Sequence, residues 1–156
     1  MSVGNQLAEL VLATPHKGIL AIDPGGTTGF AWVREDKSEI EFAMEAQADS
    51  VDFAESIILE NRISYMVVER HIPLPGKRQG SEGMKTMELV GALESLGKRH
   101  GVEVVWHTAS QMKSVSWCSY GKGVHAKDAC KHLIRFLLDD AGDKGLIIMA
   151  NGKKEL

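Results

Sequence analysis

A chain of 156 residues, 44% hydrophobic and 25% charged, fits one compact globular domain and leaves no room for a second of ordinary size. No apolar run approaches the ~20 residues of a membrane-spanning helix, and a secretory leader is not expected, because the N-terminus lacks a basic region and Glu9 breaks its short apolar stretch. The net charge of −3 divides into −8 over residues 1–69, +6 over 70–135 and −1 over 136–156, which permits a polyanion on the middle segment, although solvated helix faces are the commoner reason for such a pattern.

In chain order, residues 5–13 read as a short helix running into Pro15. Residues 18–23 (GILAID) form a compact apolar run, a buried strand that ends on a carboxylate. The glycine-rich turn 24–29 follows, then a second strand over 30–34 and a third over 39–45, where Ile40, Phe42 and Met44 alternate with charged or small residues. Three strands joined by short turns suggest an antiparallel meander. Val51, Ala54, Ile57 and Ile58 stand at helical spacing and predict a helix over 50–61. Residues 65–69 (YMVVE) are a second buried strand ending in a carboxylate, and the prolines and glycines of 71–80 make a loop. A helix over 82–100 stops near Gly101, a third buried strand covers 102–107, and Thr108 or Ser110 caps a short helix carrying Lys113. The last long helix covers 124–139, and no strong pattern follows Gly142.

This order predicts an α/β fold: a mixed sheet with helices over its faces. Two strands deliver an acid at their C-terminal ends, where open α/β sheets usually place ligands. Asp23 before Pro-Gly-Gly-Thr-Thr-Gly can hold a hard divalent cation against a phosphate, and reads equally as the first residue of a β-turn. Glu69 repeats the arrangement, with an ion pair to Arg70 or a nearby lysine as its plain alternative. At about 100° per residue, His125, Asp128, His132 and Arg135 share one polar stripe beside an apolar face of Ala129, Cys130, Leu133, Ile134 and Leu137. Such a stripe is more commonly a solvated face with an Asp128–His132 pair, and it gains force only beside Asp23 and Glu69. Cys118 and Cys130 form no CxxC pair, as suits a reduced cytosolic protein, and a zinc site with His125 and His132 is not expected from that spacing.

With these positions assembled, the chain resembles the RuvC family of Holliday-junction resolvases, and more closely its shorter phage-borne relatives. ILAIDPGGTTGFAWV resembles that family's first motif, MVVER its second, and HAKDACKHL its last, where two site positions three apart sit on the final helix and the first is Asp or His. The resemblance implies an RNase H-like fold, a mixed five-stranded sheet flanked by helices, with residues 1–17 as an N-terminal extension, 18–140 as the nuclease domain and 141–156 as a tail. It implies Asp23, Glu69, His125 and Asp128 as metal ligands, and TASQMKS resembles the segment that brings a lysine, here Lys113, near the site.

The activity so implied is hydrolysis of branched DNA with two magnesium ions per site, Asp23 bridging both, Glu69 on one side and Asp128 with His125 on the other. Manganese is expected to serve at least as well, because His125 adds a nitrogen ligand. Lys77, Arg78, Lys113, Lys122 and Lys127 are candidate phosphate contacts, a homodimer would give each of two symmetric strands one site, and the setting would be a bacterial cytoplasm. The loop 71–85 shows no clear counterpart of the family's aromatic wedge. Three other readings share the core fold: a YqgF-like protein, a non-catalytic DNA-binding module, and an actin-like ATPase. The last normally needs two such domains and well over twice this length.

Overall fold

The computed structural model describes residues 3–70 and 80–141. In chain order they form α1 (Val3–Leu12), β1 (Gly18–Asp23), β2 (Thr27–Val33), β3 (Glu41–Ala46), a 3-10 turn (Gln47–Asp49), α2 (Ser50–Asn61), β4 (Ile63–Glu69), α3 (Ser81–Arg99), β5 (Glu103–His107), α4 (Ala109–Lys113) and α5 (Val124–Ala141). The five strands make one sheet in the order β3-β2-β1-β4-β5. β1 pairs antiparallel with β2 and β2 with β3, while β1–β4 and β4–β5 run parallel. This is the mixed five-stranded sheet flanked by helices that the element order predicts.

Period-2 alternation sorts each strand's side chains between two cores. Ile19, Ala21, Ala31, Val33 and Val67 face α1 and α5, where they meet Ala8, Val11, Leu12, Ala129, Cys130, Leu133, Ile134 and Leu137. Leu20, Ile22, Phe30, Met66 and Val68 face α2 and α3, against Ala54, Ile57, Ile58, Leu89, Leu93 and Leu96. β1 is buried along its whole length, which is why it reads as an uninterrupted apolar run. Leu20, Ile22, Leu93, Leu133 and Ile134 are fully enclosed, each contributing about 1.5–3 kcal/mol of burial free energy. No described helix is long and apolar enough to cross a membrane.

The helix over 50–61 has the predicted bounds, and Arg62 in the left-handed region (φ 51°) turns the chain directly into β4. Gly101, at φ 67°, follows the end of α3 as expected. β3 begins two residues later than its alternation suggests. Residues 34–40 are held instead as a turn: the His16 backbone N–H donates to Asp36 Oδ1 (3.0 Å), and the His16 ring nitrogens lie 2.8 Å from the carbonyls of Lys17 and Lys37. β4 starts at Ile63 rather than Tyr65, because its first residues pair with the start of β1. The loop 71–79 and the tail from 142 lie outside the described residues.

Candidate active site

β1 and β4 lie side by side and parallel, with Ile22 opposite Val68, so their C-terminal acids Asp23 and Glu69 emerge together at one edge of the sheet. Asp23 is almost enclosed, its side chain 11% exposed, and that of Glu69 is 18% exposed. The two carboxyl groups share a hydrogen bond. Burial first, then that bond and the charges of Glu69 and Asp128, push the Asp23 carboxyl up to about 9. Asp23 therefore keeps its proton at neutral pH, as the crowding of like charges in a dry site requires.

The N-terminal turn of α5 covers this pair. His125 Nδ1 lies 3.3 Å from Asp23 Oδ2, and Asp128, one turn further on, is half-buried and close enough to act on Asp23 through its charge. Gly29 makes this approach possible. It sits opposite Asp23 in the β1–β2 register, and a Cβ there would overlap the backbone carbonyl of His125. The turn 24–26 is braced from below: Gln47 Nε2 donates to the Gly25 carbonyl (3.0 Å) and the Thr86 hydroxyl (3.3 Å), tying it to α3. Thr28, fully buried, bridges back to Gly25 through its hydroxyl.

Asp23, Glu69, His125 and Asp128, far apart in sequence, thus meet in one place. Among the described residues, however, no group of three or more His, Cys, Asp or Glu side chains stands ready to hold a metal ion. Lys113 is exposed and ends α4, which starts at a capping box in which the Thr108 backbone N–H donates to Gln111 Oε1 (2.8 Å). No described hydrogen bond joins Lys113 to the acids. Lys122 and Lys127 are exposed around the start of α5. Lys77 and Arg78 lie outside the described residues.

The sequence reading gave no role to His107 and set His132 in a different environment from the one it occupies. His107 ends β5 directly opposite Glu69, the third polar residue at that edge of the sheet. His132, which the helical wheel sets on an open stripe with Asp128 and Arg135, is fully buried, with its Nδ1 3.0 Å from His107 Nδ1 and its Nε2 3.8 Å from Glu69 Oε1. The expectation fails because α5 is pressed against β1, β2 and the ends of β4 and β5, so its buried sector is wider than its apolar stripe. Burial, and next His132, lower the His107 imidazole to about 4. A histidine ending β5, as Asp23 and Glu69 end β1 and β4, was legible as a signal; its partner was not. The cleft lined by Trp32, Arg34, Lys37 and Glu41 is at the far end of β2 from Asp23.

No family model matches the sequence, and a search of curated proteins finds no match. Solved structures do match. RuvC of T. thermophilus in complex with a Holliday junction substrate superposes with a TM-score of 0.61 at 16% identity, covering 81% of this chain and 97% of that one. A second Thermus thermophilus RuvC structure gives 0.61 at 15% identity, covering 80% and 96%. The yeast mitochondrial Holliday junction resolvase Ydc2 gives 0.53 at 10% identity, covering 94% of this chain and 90% of that one. At such identities the likeness speaks to architecture, and it agrees with the strand order and helix placement: this chain has the RNase H-like fold in the form seen in RuvC.

Proposed function

We propose that the protein is a structure-selective endodeoxyribonuclease that cuts Holliday junctions and other branched DNA by two-metal-ion phosphodiester hydrolysis. The observation that carries this reading is the carboxyl pair at the ends of two adjacent parallel strands, Asp23 buried and Glu69 half-buried, overlaid by His125 and Asp128. A carboxyl that burial and two neighbouring acids keep protonated is one whose ionised form a divalent cation would stabilise. Its donors, three carboxylates and one imidazole, fit magnesium and manganese by chemistry. Asp23, Glu69, His125 and Asp128 are the residues that would hold the ions. Bound there, the ions supply Lewis-acid stabilisation of an in-line displacement at phosphorus.

The remaining roles fall to the chain itself. Gly29 and Gln47 hold the strand-end turn against α5 and α3, keeping the acids at fixed spacing. Lys113, Lys122 and Lys127, together with Lys77 and Arg78, would meet DNA phosphates and set register rather than sequence. A two-fold dimer would present one site to each of two symmetric strands. Supporting that, α3 carries Met84 and Met87 at 56% and 44% exposure, with exposed Gly91 one turn beyond, an apolar stripe at helical spacing. Light scattering of the purified protein is expected to give twice the monomer mass alone, and two chains plus one junction when DNA is bound. A monomer in both conditions sinks paired cutting.

The direct experiment is a gel assay on four-way, flap and linear DNA with magnesium, with manganese and with neither. Cleavage of branched DNA is expected with either ion, and none without. Asp128→Asn is expected to lower cleavage at least ~100-fold while leaving junction binding within a few-fold, since phosphate contacts carry most of the affinity. Near-normal cutting by this variant would show that the assignment on α5 is wrong.

A further inference from the structure

The pair His107–His132 has no part in the mechanism above, yet it lies directly beneath it. His132 is fully enclosed, its Nδ1 lies 3.0 Å from His107 Nδ1, and its Nε2 is a buried polar atom with no hydrogen-bond partner. Among the described residues, the Oε1 of Glu69 lies 3.8 Å from that atom. A buried unpartnered nitrogen is uncommon and costly in a folded protein. Its direction makes it informative.

The hydrogen positions follow from what each atom meets. If His132 Nε2 bore a lone pair, two acceptors would face one another in the interior. With the hydrogen on Nε2, a donor faces the carboxylate, and Nδ1 is left to accept from His107 Nδ1. His107 is itself held by the sheet, since Glu69 and His107 are opposed in the β4–β5 register and the Arg70 N–H donates to the His107 carbonyl (2.7 Å). The chain of groups therefore has one sense: His107 fixes the His132 ring, and His132 presents an N–H to Glu69.

We infer that His132 is a positioning residue for Glu69, its Nε2–H fixing the direction in which that carboxylate faces the cation site and His107 fixing the tautomer. This rests on the reading of Glu69 as a metal ligand. Partners that orient a ligating side chain typically change metal affinity 10- to 100-fold when removed. At 3.8 Å the pair is longer than a formed hydrogen bond, so the contact orients Glu69 by charge and direction and closes to a hydrogen bond with a small shift of either side chain.

The test uses the full chain without DNA. Manganese affinity is measured by calorimetry for the wild type, Glu69→Gln, His132→Leu and His132→Gln, and long-range proton–nitrogen NMR of the wild type reads which nitrogen of His132 bears hydrogen. The expected result is hydrogen on Nε2, manganese affinity about 10- to 100-fold weaker in His132→Leu, and recovery to within a few-fold in His132→Gln, which keeps a donor at the same reach. Wild-type affinity in His132→Leu, equal loss in both His132 variants, or an Nε2 without hydrogen overturns the inference. Wild-type affinity in Glu69→Gln overturns instead the metal reading beneath it. Should His132→Leu fail to fold, the NMR result on the wild type still decides.

Discussion

Asp23→Asn is expected to abolish metal-dependent cleavage and, at pH 8, to raise the melting temperature of the metal-free protein by about 3–8 °C, a rise that corresponds to roughly 1–3 kcal/mol in a domain of this size. The first effect removes a charged ligand. The second follows from linkage. Burial, the bond to Glu69 and the nearby acids raise Asp23 from its ordinary 3.8 to about 9. Between those values the folded chain holds a proton that the unfolded chain releases, so Asp23 makes folding less favourable as pH rises from about 4 toward 9. Asparagine cannot ionise in either state, and its amide still offers a donor to Glu69. The gain should therefore be small near pH 4 and grow with pH. Melting curves of wild type and variant at pH 4.5, 6 and 8, in the presence of a chelator, measure it. A constant difference across that range would remove the argument that burial and the nearby acids keep Asp23 protonated. Saturating manganese should stabilise the wild type far more than the variant, closing or reversing the gap.

Gly29→Ala is expected to be nearly as damaging, for a steric reason. The added methyl has no flexible side chain to displace; it meets the His125 carbonyl and the Ala126 nitrogen, both backbone. Either α5 lifts off β2 or the strand bends, and packing changes of this kind cost about 1–3 kcal/mol, occasionally more. Because His125 and Asp128 ride on that turn of helix, cleavage should fall by on the order of 100-fold, the effect of an ångström of misplacement. Gly26→Ala is the comparison: it lies in the turn just before β2, three residues from Gly29, but a methyl there meets nothing within 4 Å. Its urea midpoint should stay close to wild type while that of Gly29→Ala drops. Equal midpoints for the two would mean that α5 does not depend on the bare glycine.

The strand-end acids were visible in the amino-acid order because they need only local rules. GILAID and YMVVE are apolar runs each closed by one carboxylate, and runs of that kind become central parallel strands whose ends share an edge. The helix over 50–61 was legible to the residue, since its apolar spacing is regular and the left-handed Arg62 ends it. The inward residues of α5, Ala129, Cys130, Leu133, Ile134 and Leu137, were equally plain from their period. β3 was placed two residues early because its alternation extends to Ile40, while the real boundary is set by His16 and Asp36, a contact across some twenty residues.

Tertiary packing alone decided the rest. A helical wheel ranks positions around one axis but carries no information on how deeply the helix sinks, so His132 read as open when the ends of β4 and β5 in fact enclose it. The glycine in Thr-Thr-Gly-Phe could be any turn residue until α5 is laid across it. The raised Asp23 carboxyl likewise belongs to no single motif: it arises from burial and from acids 46 and 105 positions away, which only the folded sheet and helix bring within reach.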